Sequence, residues 1–66
     1  MILIINGEHH EVTEGATVGE VVRTVTKAAT GVAVALNDEV VRRGSWDSTA
    51  LTDGDKVEVL TAVQGG

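Results

Sequence analysis

Two hydrophobic periods share this chain. "MILII" is apolar throughout, "NGEHHEVTE" is mostly polar, and Asn6-Gly7 stands where they meet. Both of those residues tolerate positive φ, so the pattern predicts a β-hairpin. Strand one would run from Met1 to Ile5 and strand two from about Glu8 to Thr13. The period then lengthens. Val18, Val21, Val22, Val25, Ala28 and Ala29 recur at three- and four-residue steps, which marks one face of a helix. Thr17 and Glu20 have the spacing of a capping box. Gly31 stands where a left-handed residue would close the helix. A valine-rich helix has modest intrinsic propensity and needs a sheet to pack against.

Beyond the helix, "VAVALN" reads as an inner strand and "NDE" as a turn. "VVRR" reads as a short edge strand, on which Arg42 and Arg43 alternate faces and their charge discourages edge pairing. "GSWDSTALTDGD" is irregular, and "KVEVLTAV" alternates as the last strand. The order is β-β-α-β-β-β, an α+β domain whose one helix covers one face of the sheet. Alternate strand residues share a side. Met1, Leu3, Ile5, Val34, Leu36, Val57 and Val59 therefore face the helix. Ile2, Ile4, Ala33, Ala35, Leu60 and Ala62 fall on the other face, with no element left to cover them. A contiguous apolar patch of this kind usually marks a partner surface, the alternative being a scatter of exposed aliphatics such as sheet faces often carry.

Sixty-six residues make one small domain. A domain this size usually leans on a staple, yet there is no cysteine. That removes disulfides, thiolate metal sites and a cysteine nucleophile, and it suits a reducing cytoplasm. The net charge of −5 makes nucleic acid and anionic membranes poor partners, and favours a basic surface on another protein. "MILII" is too short for a signal core or a membrane span. The chain reads as soluble and cytoplasmic.

Few side chains suggest chemistry. His9 and His10 are neighbours on a strand and point to opposite faces, so they do not chelate one ion, and no third ligand has useful spacing. Gly7, Gly15 and Gly19 lack the spacing and context of a phosphate loop. Asp53-Gly54-Asp55 is a tight turn and too poor in carboxylates for a calcium loop. Trp46, the one aromatic, is expected to cap an end of the core with its N–H satisfied, the alternative being a hot spot for a partner. Glu8, Glu11, Glu14 and Glu20 are solvated charges able to steer a basic partner. What remains is the end of the sequence, "LTAVQGG".

The strand order with its single helix is that of the β-grasp, or ubiquitin-like, fold. "LTDGDKVEVLTAVQGG" resembles the close of the small sulfur carriers, in which a Leu-x-Asp-Gly-Asp turn feeds a last strand that runs out to Gly-Gly. "VAVALNDEVV" and Trp46 resemble the thiamin branch, the ThiS family, more than the molybdopterin (MoaD-like) branch. Two departures concern loops: Asn37-Asp38 replaces the family's frequent Asn-Gly, and Arg42-Arg43 stands where a proline often follows.

The resemblance implies a β-grasp body over residues 1–62 and a flexible tail, Val63, Gln64, Gly65 and Gly66. It implies no catalytic residue, no metal and no bound cofactor. A ThiF-like adenylating partner would use ATP to activate the Gly66 α-carboxyl. A sulfur donor, a cysteine desulfurase system, would convert it to a thiocarboxylate, and a ThiG-like thiazole synthase would take the sulfur. Such a carrier is a substrate rather than an enzyme. A molybdopterin-type carrier, a ubiquitin-like modifier joined to lysines and a plain interaction domain are the rival readings. Two glycines suit a segment that enters another enzyme's site, because neither carries a Cβ to widen it or restrict its backbone.

Overall fold

A computed structural model describes residues 1–28 and 30–62. Five strands form one mixed sheet: β1 (Ile2–Ile5), β2 (Glu8–Glu11), β3 (Val32–Leu36), β4 (Glu39–Val40) and β5 (Lys56–Thr61). Helix α1 (Val18–Val25) lies between β2 and β3 in the chain, and a 3-10 helix (Arg43–Ser48) lies between β4 and β5. The spatial order is β2-β1-β5-β3-β4, which puts β5 at the centre. It runs parallel to β1 and antiparallel to β3.

Local chemistry makes both hairpins. Asn6 and Gly7 have φ of +50° and +84°, and Asn37 and Asp38 have +49° and +72°. Two successive residues at positive φ match the twist of the flanking strands. Asp38 takes a position that favours glycine, and its carboxylate lies 3.2 Å from the Lys56 ammonium. The capping box forms as the spacing predicts. The Glu20 N–H donates to Thr17 Oγ1 at 3.3 Å, and the Thr17 N–H donates to Glu20 Oε1 at 2.9 Å.

The core lies between α1 and one face of the sheet. Leu3, Ile5, Val34, Val57 and Val59 from the strands meet Val18, Val21 and Val22 from the helix, and Leu51 and Trp46 close the ends. Met1 and Leu36 are partly buried against it, so the helix-facing set follows the alternation in the sequence.

Three expectations need correction. The helix ends at Val25 instead of continuing to Ala28. Thr26 is extended, with φ −145° and ψ 151°, and its hydroxyl accepts the Ala28 N–H at 3.1 Å. A side chain that bonds its local backbone in this way competes with helix. Val25 is already 41% exposed, so a further turn has no apolar surface to bury. Ala29 lies outside the described residues. Gly31 does have positive φ, at +72°, but it leads into β3 rather than capping the helix.

The edge strand is Glu39–Val40, and Arg42 and Arg43 are not part of it. Trp46 explains the difference. Its indole N–H donates to the Val41 carbonyl at 2.9 Å, and the Arg43 guanidinium sits 5.4 Å from the ring centre. The chain therefore folds over the buried tryptophan as a 3-10 helix, where the sequence pattern showed only an irregular stretch.

Candidate functional site

The last strand is the element that leads toward Gly-Gly, and it is held from both sides. On one side, Asn6 Oδ1 accepts the Val59 N–H at 2.8 Å, and Asn6 Nδ2 donates to the Val59 carbonyl at 3.3 Å. On the other, Asn37 Oδ1 accepts the Lys56 N–H at 3.0 Å, and the Asn37 N–H donates to the Lys56 carbonyl at 2.8 Å. Each hairpin turn thus places an asparagine against β5. Near the strand's far end, the Ala62 N–H donates to the Gly31 carbonyl at 2.6 Å.

The turn before β5 is built from Leu51 to Asp55. Leu51 is buried, and Gly54 has φ +89°. Asp53 Oδ1 accepts the Ile2 N–H at 2.6 Å. Asp55 accepts the Thr52 N–H at 2.8 Å and hydroxyl at 3.2 Å, and the Asn37 amide at 3.1 Å. The Thr52 backbone bond is the main cause that holds the Asp55 carboxyl below its ordinary range. Partial desolvation opposes it, and the two side-chain bonds assist. The Leu-x-Asp-Gly-Asp pattern is thus a clamp that ties β1, the β3–β4 hairpin and β5 together.

The face of the sheet away from α1 carries the six residues expected there. Leu60 is 67% exposed and Ile2 is 40% exposed. Ala33 and Ala62 are exposed, while Ile4 and Ala35 are half-buried. The patch is not contiguous. Ile4 pairs with Lys56 and Ala35 pairs with Glu58, so both charged residues share this face with them. They divide Ile2 and Ile4 from a second group, Ala33, Ala35 and Leu60. The second group also includes Val40, which pairs with Ala35 and is 84% exposed. Sequence reasoning missed Val40, although a two-residue turn at Asn37-Asp38 sets Ala35 opposite Val40 by counting outward. Val63, Gln64, Gly65 and Gly66 lie outside the described residues.

His9 and His10 pair with Ile4 and Leu3 respectively, so their side chains leave opposite faces. Among the described residues no three His, Asp or Glu side chains converge as a metal site. Among them also, no helix is long and apolar enough to cross a membrane.

The described body thus offers a firmly held final strand in place of a cluster of reactive side chains, and that strand leads to the two glycines that close the sequence. The family model that matches is the ThiS family, over residues 3–66. The chain belongs to the ThiS family. It is 40% identical over 62 residues to a sulfur carrier protein ThiS of Thermus thermophilus, covering 94% of this chain and 95% of that protein. The crystal structure of a thiamine biosynthesis protein (ThiS) from Geobacter metallireducens superposes with a TM-score of 0.82 at 38% identity, over the whole of both chains. The fold is therefore the β-grasp of ThiS proteins. A thiazole synthase of Paramagnetospirillum magneticum is 35% identical over 66 residues, and this chain spans 20% of its length.

Proposed function

We propose that this chain is the sulfur carrier for thiazole formation in thiamin biosynthesis, charged at the Gly66 α-carboxylate. The observation that carries the reading is the ThiS-family match, which runs through Gly65-Gly66 to the last residue of the sequence. A carboxylate is a poor acyl donor because oxide is a poor leaving group. Its oxygen would attack the α-phosphorus of ATP on a ThiF-like partner, releasing pyrophosphate and leaving an acyl-adenylate. A persulfide, supplied by a cysteine desulfurase system, would attack the acyl carbon and expel AMP, and a second thiol would then cleave the acyl disulfide, leaving the thiocarboxylate and a new disulfide. The resulting thiocarboxylate holds its negative charge largely on sulfur, a soft nucleophile that a ThiG-like thiazole synthase would consume. ATP is then the partner's substrate and not a cofactor of this chain, and an ATP-fed reaction of this kind suits the cytoplasm.

The body serves as a handle. Four residues past Ala62 would reach ~13 Å when fully extended. A partner must therefore grip the domain close to its active site, and offset about 1–2 kcal/mol of ordering entropy for each tail residue. The group Ala33, Ala35, Leu60 and Val40 lies on β3, β4 and β5, with Leu60 and Ala33 paired near the tail's root, and is the surface we assign to that grip. Thiazole synthase as the acceptor is supported by the long relative that carries a similar region within its own chain.

The test is an intact mass after incubation with ATP, an adenylating partner and a sulfur donor. A gain equal to sulfur replacing oxygen is the expected result. Isopeptide-linked species would instead make the chain a protein modifier. An unchanged mass with a competent partner would leave an interaction domain with no covalent role.

A further inference from the structure

A groove runs between β2 and α1, on the side of the sheet opposite the assigned grip. Ile5, Val12, Val21 and Val25 make its apolar lining. Glu8 and Glu20 border it, and no lysine or arginine lines it. Its volume of about 570 Å³ falls within the range of sites that take a ligand or a peptide side chain.

The groove lies beside an open sheet edge. β2 is the outermost strand on its side. Val12 and Met1 exchange both backbone bonds, at 2.8 and 2.9 Å. Such pairs alternate along an antiparallel ladder. The pairs Leu3–His10 and Ile5–Glu8 are therefore the bonded ones, and the N–H and C=O groups of His9 and Glu11 point outward. No described residue bonds to them.

We propose that this edge and groove receive an extended segment of a partner protein as a sixth strand, with apolar side chains alternating with lysine or arginine. Main-chain bonds to His9 and Glu11 would supply the register, as in other strand additions. The apolar side chains of the added strand would cover Val12, Val21 and Val25. Its basic side chains would leave the other face, where Glu11 lies opposite Ile2. Charge selects this occupant over a second copy of the chain. An edge-to-edge pair of copies would crowd two strands that each carry Glu8 and Glu11 into one interface, between molecules that each have a net charge of −5. The proposal does not depend on chemistry at Gly66.

The test titrates isotope-labelled protein with an acetylated peptide alternating valine and lysine. Two comparison peptides are used, one alternating valine and glutamate, the other N-methylated on the amides that would face His9 and Glu11. The expected result is amide shifts concentrated at His9, Glu11, Val21 and Val25. Affinity should fall about tenfold or more for either comparison peptide. Changing the peptide leaves the protein's folding untouched. Glu11→Lys, at an exposed position, should weaken the valine–lysine peptide with an unchanged urea midpoint. Equal binding of the N-methylated peptide would overturn the added strand, as charge attraction alone would then account for it. No binding at millimolar peptide, or shifts centred on Leu60 and Ala33, would overturn the site. Any of these failures would leave the mass shift at Gly66 unaffected.

Discussion

The Asn6 side chain stands in for backbone against Val59: its amide both accepts from and donates to that residue's main chain, at 2.8 and 3.3 Å. β1 ends at Ile5, so without Asn6 the Val59 peptide groups would have no partner on this side. Asn6→Gly keeps the positive φ and removes both bonds, and should cost about 1–2 kcal/mol. Asn6→Ala adds the penalty of a left-handed alanine and should cost roughly 1 kcal/mol more. Urea unfolding of the two variants separates the bonds from the backbone. Hydrogen exchange at Val59 should quicken in both.

Gly31 and Ala62 meet more closely than side chains allow. A Cβ on Gly31 would lie 2.9 Å from the Ala62 Cβ, and the residue has φ +72°. Gly31→Ala should therefore destabilise by about 1–3 kcal/mol and loosen the Ala62 N–H bond at the root of the tail. A midpoint equal to that of the parent protein would show that Ala62 is not held at Gly31.

Acid should loosen the turn that feeds β5. The folded pKa of Asp55 lies below its ordinary value, chiefly through the Thr52 N–H. A carboxylate with a depressed folded pKa adds stability that is present above the unfolded value, ~3.9, and is lost as pH falls through the folded value. Asp55→Asn should cost about 1 kcal/mol at pH 7, a figure kept small by solvent screening. Its stability should converge with that of the parent protein as pH falls through the folded value. Parallel curves across that range would remove Asp55 from the acid response.

Leu60 lies on the helix-free face and is 67% exposed. Leu60→Glu should change folding stability by no more than ~0.5 kcal/mol. It should reduce adenylation by a ThiF-like partner at limiting carrier concentration. Ile4→Glu, at a half-buried position beside Lys56, should affect folding more than Leu60→Glu does. A normal adenylation rate in Leu60→Glu would move the grip elsewhere.

Removing Gly66 should abolish the mass gain while leaving the thermal midpoint nearly unchanged. A large fall in the midpoint would mean that the end of the chain supports the fold, against its role as a free reacting group.

Features set by neighbours in the chain were legible from residues alone. Asn6-Gly7 and Asn37-Asp38 turn because such residues accept positive φ, and Thr17 with Glu20 caps because their spacing lets the two side chains and two N–H groups exchange bonds. Strand alternation assigned the helix-facing and helix-free residues correctly, because parity along a strand needs no knowledge of its neighbours. The Gly-Gly ending and the Leu-x-Asp-Gly-Asp turn led to the family for the same reason: they are short and contiguous. Position in the sheet was decided by contacts distant in sequence. Central β5 places Lys56 and Glu58 between Ile4 and Ala35, and so splits a patch that parity alone makes continuous. Trp46 reaches the Val41 carbonyl and closes a 3-10 helix whose residues show no helical period. Val25, short of apolar surface to meet, ends α1 before its valine and alanine stripe runs out. In each case contacts with a distant segment, made or missing, decided what local preferences worth less than about 1 kcal/mol per residue could not.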